Sequence, residues 1–157
     1  MKIAIVGGGI GGLSLALSLH RQGLLCDVYE TVAAVRELGV GITLLPHAMR
    51  ELIALGLGDG LLLAAGIENA ESCFFNRFGQ LIYREPRGKA AGYATAEVGI
   101  HRGTLHRILY ETVKERIGTD CVVTNRLCVG VEQDESGARL TFKETTSSAA
   151  LPPMLSS

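Results

Sequence analysis

The amino-acid sequence predicts an α/β fold in which a strand–helix–strand unit starts a parallel sheet and a small antiparallel sheet is inserted later. Three observations support this prediction. Residues 3–22 read as a short apolar run, a glycine-rich turn and a long apolar segment. A second apolar run follows and ends in an acid at Glu30. Near residue 72 the pattern changes to short runs around a central glycine, which is typical of a hairpin.

The first strand and its glycine turn form the most informative part of the chain. Residues 2–6 are a continuous apolar run after the lysine, as in a parallel strand that is covered on both faces. The spacing of Gly7, Gly9 and Gly12 is G-x-G-x-x-G. These glycines serve the turn, the close approach to a phosphate and the packing of helix on strand, in that order. Amides near Ile10 at the helix start favour a pyrophosphate, so the pattern predicts a Rossmann-like dinucleotide-binding unit.

The following helix and strand complete the unit. Residues 13–19 are apolar almost all round, which predicts a buried helix that ends before Gly23. The second strand begins at Cys26 and ends at Glu30. A carboxylate at this position accepts hydrogen bonds from ribose hydroxyls and repels a 2′-phosphate, which favours FAD or NAD over NADP. The alternative is a solvated acid at a strand end.

The next segment differs from a regular strand–helix repeat. Gly39 and Gly41 flank Val40, which gives a backbone that can lie against a flat ligand. Arg36 can face a phosphate or a ring, although an isolated arginine is more often a solvated surface charge. Pro46 stands at the favoured first position of a helix.

The middle of the chain predicts further short elements. An apolar, glycine-punctuated stretch at residues 57–65 predicts a short helix, and residues 72–84 predict a hairpin around Gly79. This hairpin would be the inserted antiparallel sheet. Residues 85–88 read as a turn, and residues 89–97 as a loop of small residues.

An amphipathic helix follows, with Thr104 as its predicted N-cap and Gly118 as its end. Arg102 lies just before it, where it can reach an anionic ligand. The apolar face has i, i+3, i+4 spacing and comprises Leu105, Ile108, Leu109, Thr112, Val113 and Ile117.

The last elements are a short strand at residues 121–124 and a hairpin over residues 127–142. Residues 144–157 have no hydrophobic period, so we expect a disordered or non-native tail after a domain of residues 1–143.

Composition excludes several functions. The net charge is −1 and no basic run is present, which argues against nucleic-acid binding. Residues 3–19 are uncharged, but five glycines lie in their middle and no cleavage site follows, so we expect no membrane span. The four cysteines form no C-x-x-C pair and the histidines lack metal-ligand spacing. A cytoplasmic protein with reduced thiols and no metal is expected.

Four signals in order carry a resemblance to a known family: GGGIGG with Glu30, LGVGI at residues 38–42, IHRG at residues 100–103, and the strand at Leu127. Over residues 1–142 the chain resembles the N-terminal FAD-binding part of the FAD-dependent aromatic-ring hydroxylases. These are single-component flavoprotein monooxygenases that include para-hydroxybenzoate and salicylate hydroxylases. The resemblance implies that the FAD pyrophosphate lies at Gly7, Gly9, Ile10 and Gly12, and that Glu30 binds the ribose. It implies that Arg36, Val40 and Gly41 contact the flavin half. It also implies a pyrophosphate or ribityl contact from Arg102 and an adenine contact from Leu127.

The resemblance also implies a reaction. FAD would be reduced by NADH or NADPH, and one atom of molecular oxygen would pass to a small phenazine- or benzoate-like aromatic substrate. A full-length protein of this family can form a homodimer. No catalytic residue can be named from the sequence; Thr43 and His47 lie near LGVGI, but a structural role is preferred for each.

The chain departs from the family in one respect. The family's D-G-x-x-S-x-x-R motif and its later Gly-Asp motif are absent, so we expect an N-terminal fragment, incomplete relative to the family fold and inactive alone. Two alternatives stay open. One is an NAD-dependent Rossmann oxidoreductase, which the glycine motif and Glu30 allow. The other is a non-catalytic nucleotide-binding module.

Overall fold

A computed structural model describes residues 3–33, 40–135 and 137–144 of the chain. The strands are β1 (Ile3–Val6), β2 (Cys26–Tyr29), β3 (Gly41–Leu44), β4 (Ile67–Asn69), β5 (Glu71–Phe75), β6 (Leu81–Pro86), β7 (Glu97–His101), β8 (Val122–Val123), β9 (Arg126–Asp134) and β10 (Gly137–Glu144). The α-helices are α1 (Ile10–Arg21), α2 (Pro46–Ala54) and α3 (Arg102–Ile117), with shorter helical turns at Gly58–Leu63, Gly88–Ala91 and Thr119–Cys121. The predicted α/β fold, with a parallel sheet and inserted antiparallel strands, is confirmed.

The parallel sheet positions the glycine turn beside Glu30. Its order is β1-β2-β8, and both pairs of neighbouring strands are parallel. The register pairs Val6 with Tyr29, the last residues of β1 and β2. Because parallel strands end at the same edge of a sheet, the residues that follow them, Gly7 and Glu30, are neighbours there.

The core lies where α1 and α3 pack against this sheet and against β7. Its most deeply buried large side chains are Leu13, Leu17, Met49, Leu57, Leu62, Leu105, Leu109, Val28, Val98 and Val113. Burial of each such side chain contributes about 1.5–3 kcal/mol before the entropy of ordering is counted. The core therefore joins α3 firmly to the unit that carries the glycine turn.

Two expectations about burial were wrong. β1 lies at an edge of the parallel sheet in the described part of the chain, and Val6 is 53% exposed, so β1 is not covered on both faces. Helix α1 buries Leu13, Ala16 and Leu17, whereas Leu15 is 48% exposed. A segment that is apolar all round carries no period, so its sequence cannot indicate which face meets the core.

The antiparallel strands form more structure than the sequence predicted. The hairpin β5–β6 is confirmed, with a register shift between Phe74 and Phe75. A three-stranded sheet of order β3-β7-β4 was not predicted. Its central strand, β7, has only Val98 and Ile100 as large apolar residues. Two such residues are too few to show an alternating pattern, and its neighbours lie far away along the chain.

Helix α3 has the predicted buried face and ends as predicted at Gly118, which has a φ of +127°. The prediction of Thr104 as N-cap was wrong. The cap position is His101, without a side-chain capping hydrogen bond, and Thr104 lies inside the helix. Strand β7 runs directly into α3, so no loop residue precedes the helix where a capping hydroxyl could stand.

Some predictions fall outside the described residues. Arg36 lies between residues 33 and 40, and the predicted tail lies almost entirely beyond residue 144. The domain limits of residues 1–143 therefore stay a prediction. Among the residues that the structure describes, no helix combines the length and apolar character that crossing a membrane requires.

Candidate cofactor site

The glycine turn has the conformation that its motif predicts. Gly7 has a φ of +104°, which strongly favours glycine, and its N–H donates to the carbonyl of Tyr29 at 2.8 Å. A Cβ on Gly12 would lie 1.9 Å from the carbonyl oxygen of Gly7. Only glycine at position 12 therefore allows α1 to pack this closely against the turn.

The outer side of the same turn is open. Gly9 is the N-cap of α1 and Ile10 is its first residue. In the part of the chain that the structure describes, and apart from the local backbone, a Cβ on Gly9 or on Gly11 would meet no atom within 4 Å. The first amides of a helix have no intrahelical acceptor, and the first turn of α1 carries no acidic residue. This end of α1 can therefore receive an anionic group.

Glu30 contacts the turn at Gly8, the residue before Gly9. Its Oε2 accepts a hydrogen bond from the N–H of Gly8 at 2.6 Å, and its Oε1 accepts one from the N–H of Val32 at 2.9 Å. A carboxylate offers about four lone-pair positions, so both oxygens keep acceptor capacity for a further donor such as a hydroxyl. Besides lying where a ribose contact was predicted, Glu30 thus holds the turn itself.

A histidine on α3 contacts the turn from another side. The Nε2 of half-buried His106 lies 2.5 Å from the carbonyl oxygen of Gly8. Sequence reasoning missed both His106 and Gly8. The available signal was helical spacing: His106 follows Arg102 by four positions, so the two share one face of α3.

The residues predicted to meet the flavin half also come together. The N–H of Arg102 donates to the carbonyl of Val40 at 3.2 Å, and Gly41 pairs with His101 in the β3–β7 ladder. The side chain of Val40 is 76% exposed, and that of Arg102 is also exposed. Val40, Gly41 and Arg102 therefore form one group, while Arg36 lies outside the described residues.

Leu127 is placed next to Glu30 by the backbone. The N–H of Glu30 donates to Val123, and the N–H of Arg126 donates to the carbonyl of Glu30, both at 2.9 Å. Arg126 is the first residue of β9. Leu127 is therefore one residue away from a backbone hydrogen bond to Glu30. The structure thus places Leu127, predicted to contact adenine, near the start of β9 and close to Glu30, predicted to contact ribose, which follows the end of β2.

A shallow cavity of about 460 Å³ opens on the sheet formed by β3, β7 and β4. Gly41, Thr43, Gly99 and His101 are among the residues that line it. His47 instead makes an edge contact with the ring of Tyr93, with ring centroids 5.8 Å apart. Of the two residues considered near LGVGI, Thr43 faces this cavity and His47 has a packing partner.

The geometry defines an α/β protein with a glycine turn that can receive an anionic group at the start of α1. The family model described as an FAD binding domain matches residues 1–151. The chain belongs to this FAD binding domain family.

Curated relatives include FAD-dependent aromatic hydroxylases. The chain is 41% identical over 143 residues to the phenazine 1,6-dicarboxylic acid hydroxylase PhzS of Lysobacter antibioticus, covering 90% of this chain and 35% of that protein. It is 34% identical to the 3-amino-4-hydroxybenzoate 2-monooxygenase PtnB3 of Streptomyces platensis, covering 95% of this chain and 37% of that protein. The chain therefore spans about a third of the length of these relatives.

Solved structures show the same fold. The HpxO protein of Klebsiella pneumoniae, in complex with FAD and uric acid, matches with a TM-score of 0.73 and 25% identity. The match covers 90% of this chain and 35% of that one. The partial length of the matched region agrees with the predicted fold, which is incomplete relative to the family.

Proposed function

We propose that this chain holds the ADP half of FAD at the glycine turn, as the N-terminal part of an FAD-dependent aromatic hydroxylase. The whole protein would use NADH or NADPH and molecular oxygen to hydroxylate a small phenazine- or benzoate-like substrate. Membership of the FAD binding domain family and relatives named as phenazine and aminohydroxybenzoate hydroxylases support this function. A cytoplasmic location and a homodimer of the full-length protein belong to the same proposal.

One observation carries the proposal most directly: the open side of the glycine turn lies next to a carboxylate. A side chain on Gly9 would enter the space where a phosphate would approach the helix start. Apart from the chain neighbours of Gly9, no atom of the described residues lies within 4 Å of a Cβ built there. Glu30 closes one side of the turn and keeps acceptor capacity for ribose hydroxyls. These residues fit a nucleotide with adjacent phosphate and ribose groups.

The residues would divide the cofactor between them. The pyrophosphate would lie at Gly7, Gly9, Ile10 and Gly12, the ribose at Glu30 and the adenine at Leu127. The flavin half would extend toward Val40, Gly41 and Arg102, and toward Arg36 by the sequence argument. When bound, FAD supplies the electron-transfer and oxygen chemistry, while the protein binds and orients it.

We propose further that residues 1–143 are the FAD-binding domain and that the 157-residue chain does not hydroxylate a substrate alone. The chain covers 35% of PhzS, so most of such an enzyme lies outside it. A substrate pocket normally needs walls on several sides. The described residues that line the shallow cavity beside Gly41 come from the sheet of β3, β7 and β4 and from Ala65 and Gly66.

The binding site is tested by two matched glycine substitutions. Gly9→Ala places a methyl group in the proposed phosphate space without strain, because the backbone there has a φ of −74°. Gly11→Ala places the same methyl group at an open position of the motif that accepts any residue. We expect Gly9→Ala to raise the Kd for FAD about tenfold or more, a cost of about 1.4 kcal/mol, and Gly11→Ala to leave it nearly unchanged.

The measurement is titration of flavin fluorescence, with thermal unfolding as the check that both variants fold. ADP should compete with FAD for the wild-type chain. Equal affinities of both variants, or failure of ADP to compete, would contradict the proposed site. Binding of NAD⁺ that is tighter than binding of FAD would favour the dehydrogenase alternative instead.

A further inference from the structure

We infer that His106 is a positioning residue that orients the Gly8–Gly9 peptide toward the cofactor phosphate, an inference that rests on the proposed function. The contact that motivates it joins α3 to the glycine turn, since the Nε2 of His106 lies 2.5 Å from the carbonyl oxygen of Gly8. A carbonyl oxygen only accepts hydrogen bonds, so Nε2 must carry the proton in this contact.

The planarity of the peptide bond gives this contact its consequence. In a trans peptide the C=O of one residue and the N–H of the next lie in one plane and point in opposite directions. Holding the Gly8 carbonyl against α3 therefore points the Gly9 N–H away from α3. The side of Gly9 where a Cβ would stand is the open side of the turn.

The two neighbouring peptide planes are held by different side chains. Glu30 accepts from the Gly8 N–H and so holds the plane between Gly7 and Gly8. His106 bonds the Gly8 carbonyl and so holds the plane between Gly8 and Gly9. Glycines lose the most conformational freedom when they are ordered, so a turn built from them benefits most from such restraints. The two contacts divide the task of shaping the phosphate site.

His106 is well placed for this function because α3 is anchored independently of the turn. Leu105 precedes His106 and is 1% exposed. Leu109 lies about one helical turn after it and is 0% exposed. The imidazole thus projects from a fixed helix. Arg102 lies one turn earlier on the same face and is exposed, where it can meet the same phosphate group.

The test compares a substitution that keeps the donor with one of similar shape that removes it. His106→Gln retains an N–H group at a comparable reach, whereas His106→Met does not. His20→Met, at an exposed position of α1, is the matched control. The readouts on the full 157-residue chain are the imidazole tautomer from ¹⁵N shifts, amide order parameters of Gly8 and Gly9, and the Kd for FAD.

We expect the ¹⁵N shifts to show a proton on Nε2 of His106, facing the Gly8 carbonyl. In His106→Met the order parameter of the Gly9 amide should fall from about 0.85 toward 0.6, while that of the Gly8 amide, held by Glu30, changes little. The Kd for FAD should rise about fivefold, as expected for one hydrogen bond of ordinary strength. His106→Gln and His20→Met should behave as wild type.

An Nδ1–H tautomer, or a Gly9 amide that is equally ordered in the Met and Gln variants, would overturn the inference. A merely structural role would loosen both amides together, and that outcome would also overturn it. If the wild-type chain binds no FAD, the proposed function fails, and the tautomer and the Gly9 amide still decide whether His106 orients the turn.

Discussion

Glu30 combines two functions that its sequence position predicted only in part. Its place at the end of β2 predicted a carboxylate beside the glycine turn. The structure adds that both oxygens accept backbone hydrogen bonds, at 2.6 Å from Gly8 and 2.9 Å from Val32. Hydrogen bonds to a carboxylate are stronger than those to a neutral acceptor. Glu30 therefore stabilises the turn and also keeps acceptor capacity for a ligand hydroxyl. Strand periodicity indicates where a side chain stands, but not which backbone amides will face it.

The four cysteines divide into two pairs by burial. Cys26 and Cys121 are buried, whereas Cys73 and Cys128 are half-buried. Burial raises the pKa of the Cys26 thiol, and the charge of Asp27 adds to the effect. Burial likewise raises the pKa of Cys121, with further contributions from Cys26 and Asp27. The thiolate is the reactive form, so burial and the raised pKa both slow the reaction of Cys26 and Cys121.

We therefore expect an aromatic disulfide reagent at pH 8 to modify Cys73 and Cys128 well before Cys26 and Cys121. Mass spectrometry of peptides from a timed reaction measures the order.

The same shifts predict a pH dependence of stability. A raised folded-state pKa contributes stability that is complete below the unfolded thiol value of about 8.5 and is lost as pH rises through the folded value.

The free energy of unfolding should thus fall as pH rises above about 8.5, and a Cys26→Val, Cys121→Val double variant should show a smaller decrease. Fast modification of Cys26 in the folded chain would contradict the assignment.

At the level of elements, one ionic cluster connects the β5–β6 hairpin to the central strand of the three-stranded sheet. Glu97, on β7, is only 4% exposed. Its carboxylate receives Arg87 Nε at 3.0 Å and the amide of Asn69 at 3.3 Å. Arg87 also contacts Glu85 on β6 at 2.8 Å, and the hydrogen bond to Glu97 is the main reason why the pKa of Arg87 is raised. The cluster fixes the end of the hairpin.

Arg87→Met should lower the free energy of unfolding clearly more than Arg84→Met does, because it leaves the buried Glu97 carboxylate without its cation. Arg84→Met is the matched control: its pair with Glu71 is exposed on both sides, so the expected loss is at most about 0.5 kcal/mol.

Urea unfolding of both variants measures the difference. Equal losses would show that the cluster around Glu97 does not anchor the hairpin. Faster amide exchange confined to β5 and β6 in Arg87→Met would locate the effect in the predicted element.

Elements with a strong local pattern could be predicted from the sequence, and those defined by distant pairing could not. Helix α3 has a regular apolar face, and all of its buried residues except Gly103 were predicted from the sequence. Strand β7 became visible only through its partners β3 and β4, which begin at Gly41 and Ile67. The site followed the same rule: the glycine turn and Glu30 are local motifs, whereas the contact between His106 and Gly8 joins residues 98 positions apart.

For the whole molecule, the proposal predicts that the chain binds FAD but does not catalyse hydroxylation alone. The purified chain, supplied with FAD, NADH or NADPH, oxygen and phenazine or hydroxybenzoate acids, should yield no hydroxylated product above a no-protein control. The reason is that aromatic substrates need an enclosed pocket, and the cavity beside Gly41 is shallow. Liquid chromatography with mass detection measures product. Hydroxylated product that disappears in Gly9→Ala would show that the chain is active alone.

Helix α3 has one more consequence, which concerns the size of the ligand that the site accepts. Arg102 stands on its first turn and His106 one turn later, about 6 Å further along the axis. The helix is anchored in the core, so this separation cannot adjust to the ligand. Under the proposed function, a ligand that lies at the turn shaped by His106 and also reaches Arg102 must extend along α3 by about one helical turn. Under the same proposal, we therefore expect ADP to contact the glycine turn and the flavin half of FAD to extend along α3 toward Arg102.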